Sequence, residues 1–170
     1  MLTQYRERLH LKNAQKGIQQ KKTVTSQFTG LKTVAILLDA TNGAIRQKAL
    51  NYTKKLAKQA GTTEVIGYVD VKVLTEELPF EAFCKKDLDW LWRPKGVVVA
   101  SFQRQKFDLL INLSQTDCFP LEHLATTINA NYKIGALTDY PNDYNLMVDA
   151  KSLDKYLEQV NFFIKKLSNN

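Results

Sequence analysis

The chain has 170 residues, of which 44% are hydrophobic and 24% are charged, values typical of a folded globular domain rather than a disordered one. No run of about 18 consecutive apolar residues is present, which excludes a membrane-spanning helix. The two cysteines, Cys84 and Cys118, are too few for a disulfide scaffold, and the N-terminus lacks the apolar core of a signal peptide. We therefore expect a cytoplasmic protein with reduced thiols.

Positive charge is concentrated in the first third of the chain. Residues 1–58 contain twelve Lys and Arg and two acids, whereas residues 59–170 contain twelve Lys and Arg and fifteen acids. Such a region attracts polyanions, so it predicts an anionic partner, either an acidic protein surface, RNA or anionic lipid. The alternative is that the excess charge only keeps the protein soluble.

The first segment is predicted to be a basic amphipathic helix over residues 2–20, followed by a polar linker up to residue 32. We divide the chain accordingly into this arm, 1–32, and a single α/β domain, 33–170. Its cations are candidate partner-binding residues: Arg6, Arg8, Lys12 and Lys16.

The pattern changes after the linker. Residues 34–40 form a continuous apolar run, which is typical of a strand covered on both faces. Apolar residues at helical spacing predict a helix over 45–60, and 64–71 reads as a second strand. Strand, helix and strand within about forty residues predict a βαβ unit with parallel strands.

The rest of the chain continues this alternation. Residues 72–96 are irregular, and VVVA at 97–100 is interpreted as a short strand. Further strands are predicted at 107–113, 132–137 and 144–149, and helices at 121–128 and 151–167. The pattern predicts a three-layer, Rossmann-like, doubly wound sheet that is mostly parallel.

In such a sheet, ligands bind beyond the carboxyl ends of the strands. Asp39, Thr41 and Asn42 follow the first strand and are candidates for holding a phosphate and a ribose hydroxyl. The simpler interpretation is that Thr41 or Asn42 caps the helix and Asp39 accepts from local amides. Neither the G-x-G-x-x-G nor the P-loop pattern is present, and we predict no cofactor.

Two later loops are also rich in polar side chains. Asn112, Ser114 and Asp117 follow the strand at 107–113 and are candidate ligand-binding residues, with Asp117 or Ser114 as a helix cap in the alternative interpretation. The loop at 138–144 has two acids and two tyrosines that suit a sugar or a cation, although a solvated connection is the more ordinary explanation.

Other chemistry has little support. Cys118 and His123 are close in sequence, but a buried, inert thiol is favoured over a nucleophile, and no metal-ligand spacing is present. Trp90 and Trp92, interleaved with Arg93 and Lys95, are candidates for a partner surface. The alternative is a satellite core beneath the long connection.

Several strings occur together in a recognisable order: LLDAT at 37–41, CKKDLDWLWRPKG at 84–96, FDLLINL at 107–113, FPLEHLATTINANYKIGAL at 119–137 and YNLMVD at 144–149. In this order they resemble a family of uncharacterised bacterial proteins classed as a domain of unknown function. The resemblance implies an α/β domain and supplies no catalytic residues.

The stretch FDLLINLSQTDCFPLEHLATTINANYKIG also looks like the N-terminal Rossmann-like half of heptosyltransferase-type glycosyltransferases. Those enzymes bind the sugar nucleotide largely in a second domain, for which this chain has no room, so independent transferase activity is not expected.

We therefore expect a non-catalytic binding or interaction module with a basic N-terminal region. The alternative is a small ligand-binding protein or enzyme that acts on a nucleotide, sugar or phosphorylated metabolite at the strand ends.

Overall fold

A computed structural model describes Lys12 and residues 31–168 of the chain. One six-stranded sheet runs through this part, with strands β1 to β6 at Thr33–Asp39, Thr62–Val69, Glu81–Cys84, Lys106–Asn112, Asn129–Ala136 and Leu146–Val148. Four helices, α1 to α4, span Gly43–Ala57, Val97–Arg104, Phe119–Thr127 and Leu153–Ser168.

The strand order is β3-β2-β1-β4-β5-β6, and each neighbouring pair is parallel. This confirms the predicted Rossmann-like fold class, and the order is that of dinucleotide-binding sheets. The chain moves outwards from β1 to β2 and β3, then returns to β4 on the other side of β1. The order therefore reverses between β1 and β4.

Two layers of helices cover the sheet. Val34, Ile36 and Leu38 of β1 pack with α1 and α4 in one apolar cluster, and Ala35 and Leu37 belong to a second cluster with α2 and α3. Successive side chains of a strand point to opposite faces, so a strand buried on both sides must be apolar throughout. The run at 34–40 had this pattern, and its interpretation is confirmed.

The irregular middle of the chain contains two elements that the sequence pattern missed or misassigned. The prediction of a strand at 97–100 is wrong, because these residues begin helix α2. Val99 and Phe102, three residues apart, face the sheet, whereas Val97 is 82% exposed. Burial at helical spacing outweighs the preference of valine for strands. Strand β3 lies within the segment left unassigned.

Of the predicted arm, residues 1–32, the structure describes only Lys12, which is helical and exposed, and Leu31 and Lys32 at its end. The division at residue 32 therefore stays a prediction. No helix in the described part of the chain has the length and apolar character needed to cross a membrane.

Gly135 in β5 lets a tyrosine ring lie directly against the sheet. A Cβ built at Gly135 would overlap the Cε2 and Cζ atoms of Tyr144. Hydrogen bonds of its hydroxyl with Asn112 and Glu122 hold the ring in this position.

Replacing Gly135 with Ala is expected to lower the free energy of unfolding by about 1–3 kcal/mol, the usual effect of overpacking. Urea unfolding followed by circular dichroism measures it. Gly43→Ala is the matched control: an added Cβ there meets only Arg46 Nη2, at 4.0 Å. That variant should equal or slightly exceed the wild type in stability. Equal stability of both variants would contradict a fixed Tyr144 ring.

Candidate functional site

A cleft of about 590 Å³ lies at the carboxyl ends of β1, β2, β3 and β4, where the strand order reverses. We call it the switch-point cleft. Its lining comes from the segments that follow these four strands, together with Asp39 of β1 and Tyr68 of β2: Asp39, Thr41, Tyr68, Asp70, Lys85, Leu88, Asp89, Trp92, Thr116, Asp117, Cys118, Phe119 and Pro120.

Hydrogen bonds join the loops that follow β1 and β2. The backbone N–H of Asp70 donates to Thr41 Oγ1 at 3.0 Å, and the Tyr68 hydroxyl donates to Asp70 Oδ1 at 2.8 Å. Lys85 Nζ lies 3.1 Å from the same oxygen. The hydrogen bond from Tyr68, with the ammonium of Lys85, lowers the pKa of Asp70, so this carboxylate is ionised and already partnered.

Asp89 holds the turn after β3 in place. Its Oδ1 accepts from the N–H groups of Leu91 and Arg93, and its Oδ2 accepts from Arg93 Nε at 2.6 Å. Partial burial alone would raise the pKa of Asp89, but the bonds and charge of Arg93 outweigh it and lower that pKa. The turn holds Trp92 at a φ of +60°, a strained conformation for a bulky residue.

Aromatic rings form one wall of the cleft. The Trp92 ring stacks on Phe119 with an interplanar angle of 2° and a centroid distance of 5.6 Å, and Phe119 contacts Tyr140 at 5.6 Å. Trp92 is half-buried, whereas Trp90 is 59% exposed. The interpretation of both tryptophans as satellite core is therefore wrong for Trp90. Trp92 belongs to the cleft.

Cys118 also lines the cleft, at the start of α3. Burial, with the neighbouring carboxylates of Asp39 and Glu122, raises the pKa of its thiol well above the usual range. The thiol is therefore protonated at neutral pH, which agrees with the inert interpretation. Among residues 31–168, no group of three or more His, Cys, Asp or Glu side chains is placed to hold a metal ion.

The family model of DUF6913, a family of unknown function, matches residues 6–167. The chain belongs to this family. No curated protein and no solved structure matches it.

The structure brings some of the predicted ligand-binding residues together and separates others. Asp39, Thr41 and Asp117 line the cleft. Asn42 instead caps α1, with Oδ1 accepting from Ala44 and Ile45 N–H, and Asp39 Oδ1 accepts from Thr41 N–H. These contacts confirm the capping interpretation of this loop.

Asn112 and Ser114 are buried and do not line the cleft. The expectation that Ser114 or Asp117 caps the next helix is wrong. Helix α3 begins after Cys118 with no side-chain cap, Ser114 Oγ donates to the Thr116 carbonyl, and Asp117 Oδ1 accepts from Thr138.

Asn112, Glu122, Tyr144 and Tyr156 form a buried polar network that the sequence analysis did not predict. Asn112 Nδ2 donates to Glu122 Oε1 at 3.0 Å and to the Tyr144 hydroxyl at 2.8 Å, and that hydroxyl donates to Glu122 Oε2 at 2.8 Å. The Tyr156 hydroxyl donates to the Asn112 carbonyl at 2.7 Å. The network joins β4, α3, α4 and the loop before β6.

The interpretation of residues 138–144 as a solvated connection is wrong, because this loop is bound to the interior at several positions. Tyr140 is 3% exposed, and Lys133, itself 3% exposed, lies 2.8 Å from Asp143 Oδ2. The loop is anchored in the interior. The signal available in the sequence was a glutamate on the apolar side of a helix, at position 122 between Leu121 and Leu124.

Glu122 carries the most consequential pKa in the network. Burial raises its pKa from 4.5 to about 7, aided by the charge of Asp117 and opposed by the hydrogen bonds from Tyr144 and Asn112. The folded state therefore binds a proton more tightly than the unfolded chain. The contribution of protonated Glu122 to the free energy of unfolding is fully present below pH 4.5 and is lost as the pH rises through 7.

Glu122→Gln is expected to remove this pH dependence. Between pH 5.5 and pH 8 the wild type should lose about 2 kcal/mol of unfolding free energy relative to the variant, since one pKa unit is worth about 1.36 kcal/mol. Urea unfolding at both pH values measures the difference. Glu158→Gln, on the exposed face of α4, is the control and should run parallel to the wild type. Parallel profiles for all three proteins would contradict the raised pKa.

Proposed function

We propose that this DUF6913 protein is a small-molecule-binding domain whose ligand occupies the switch-point cleft. The observation that carries the proposal is the position of the cleft, where the strand order reverses between β1 and β4. In open α/β sheets, ligands bind at this point because the loops after the two strands lead to helices on opposite faces and leave a crevice.

The composition of the wall supports the same proposal. Apolar surface from Trp92, Phe119 and Leu88 is combined with a small number of carboxylates and hydroxyls, the usual mixture in ligand pockets. The strained backbone of Trp92 adds support, because such strain occurs most often at functional positions.

We propose binding rather than catalysis. A protonated thiol is a poor nucleophile, and the pKa of Cys118 is raised. Glu122, whose pKa is close to neutrality, is bonded within the interior and does not line the cleft. The resemblance of 107–135 to heptosyltransferases is consistent with a ligand at these strand ends, so sugar nucleotides belong in the screen.

A cytoplasmic location and a bacterial origin stay predictions.

A thermal-shift screen of nucleotides, sugar nucleotides, sugars, sugar phosphates and amines tests the proposal, because a ligand at 100 times its Kd stabilises the fold by about 2.7 kcal/mol. For any hit, Trp92→Ala should weaken binding by at least about tenfold, through loss of apolar contact area. Trp90→Ala, which alters an exposed ring outside the cleft, should leave the affinity unchanged. Equal effects of the two variants would place the ligand elsewhere.

The basic region supports a second candidate function, docking on an anionic partner through residues 1–58. Lys54, Lys55 and Lys58 are exposed at the end of α1 and have no ion pair with the rest of the described chain. Arg6, Arg8 and Lys16 lie outside the described residues, and Lys12 is exposed.

Heparin chromatography distinguishes a specific basic surface from net charge alone. Changing Lys54, Lys55 and Lys58 to Ser should lower the eluting salt concentration more than the same change at Lys151, Lys165 and Lys166, because clustered cations release more counterions together. Changing Arg6, Arg8, Lys12 and Lys16 to Ser tests the arm in the same way. Shifts that simply follow the number of charges removed, three, three and four, would leave only the effect of net charge.

A further inference from the structure

We propose that the switch-point cleft selects a small organic cation, an amine or guanidinium joined to a flat apolar group, and disfavours phosphorylated ligands. This inference rests on the proposed function and names the ligand class of the same site. Three features of the cleft carry it: the occupied amides before α1, two carboxylates without an ion pair in the described part of the chain, and the aromatic wall.

Three of the amides around the start of α1 that could hold a phosphate are already bonded to side-chain oxygens. Dinucleotide-binding sheets place the phosphate on the free N–H groups of the helix after β1. Here Asn42 Oδ1 accepts from Ala44 and Ile45 N–H at 3.0 and 3.1 Å, and Asp39 Oδ1 accepts from Thr41 N–H at 3.1 Å. An anion would have to displace these acceptors beside a carboxylate.

The helix on the other side of the switch point offers no better anion site. Pro120 lies in the first turn of α3 and has no N–H group to donate. The N–H groups of Leu121 and Glu122 both donate to the Cys118 carbonyl at 2.9 Å.

The charges of the lining favour a cation. Of the four aspartates, Asp70 is paired with Lys85 and Asp89 with Arg93. Asp39 and Asp117 form no ion pair with any residue that the structure describes, and each uses one oxygen to accept from a neighbouring loop. Two negative charges therefore remain in a partly closed site, where a ligand cation would compensate them.

The aromatic wall indicates an organic cation rather than a hydrated metal ion. The stacked pair of Trp92 and Phe119 offers rigid apolar surface that a flat group can cover, and indole is the ring that attracts cations best. A ligand that places an ammonium or guanidinium near Asp39 and Asp117, with its apolar part on Trp92, would contact both the carboxylates and the aromatic wall.

The inference is tested by titrating the ¹⁵N-labelled full chain with tryptamine and with indole-3-propionate, which share a ring and differ in the sign of their charge. The amide signals of Thr41, Asp70 and Thr116 report on the cleft. Tryptamine should give saturable shifts with a Kd at least about tenfold lower than that of the acid. AMP, methyl glucoside and magnesium chloride are titrated alongside as phosphate, sugar and metal probes.

The carboxylates are tested with Asp39→Asn, Asp117→Asn and a control, Asp154→Asn. Each of the first two should weaken tryptamine binding by about threefold or more, whereas the control alters an exposed carboxylate on α4 that is paired with Lys48 and should change nothing. Asp117 is exposed, so its variant serves even if the change at half-buried Asp39 impairs folding.

The possible outcomes separate the two claims. If AMP, the glucoside, magnesium or the propionate shifts the same amides with an affinity equal to or higher than that of tryptamine, the preference for an organic cation is wrong and the proposed function stands. The same holds if neither carboxylate variant weakens tryptamine binding. If none of the probes and no compound of the thermal-shift screen binds the cleft, both claims are overturned.

Discussion

The parallel pairing of β1 on both of its edges is the constraint on which the rest of this structure depends. β1 bonds to β2 on one side and to β4 on the other, while its side chains pack alternately into two apolar clusters. Because α1 and α3 lie on opposite faces, the loops that leave β1 and β4 diverge. The cleft is the direct consequence of this divergence.

The polar residues at this end of the sheet serve two different purposes. Asn112 and Glu122 turn inwards and bond to each other and to the Tyr144 hydroxyl, which anchors the loop before β6, so they stabilise the fold. Asp39 and Asp117 remain at the surface of the cleft, and each keeps one oxygen that accepts no hydrogen bond from the described residues. Hydrogen bonding to buried partners, rather than residue type, separates the structural side chains from those available to a ligand.

The lining of the cleft is acidic, although the chain as a whole is basic. The protein carries a net charge of +7, yet the lining of the cleft contains four aspartates and one lysine. A local field at short range is set by the groups that line a site, whereas net charge governs long-range attraction and solubility. A basic chain and a cation-selecting cleft are therefore compatible, and they concern two different kinds of partner.

The sequence by itself determined the fold class and limited the cap of α1 to Thr41 or Asn42, because both depend on local patterns: continuous apolar strands, helical spacing and polar residues before the helix. It also placed Asp39 and Asp117 near strand ends. Only the tertiary structure decided the strand order, the burial of Asn112, and the helix at Val97–Arg104 in place of a strand. These features depend on contacts between residues far apart in the chain, such as that of Tyr144 with Asn112, which no local pattern encodes.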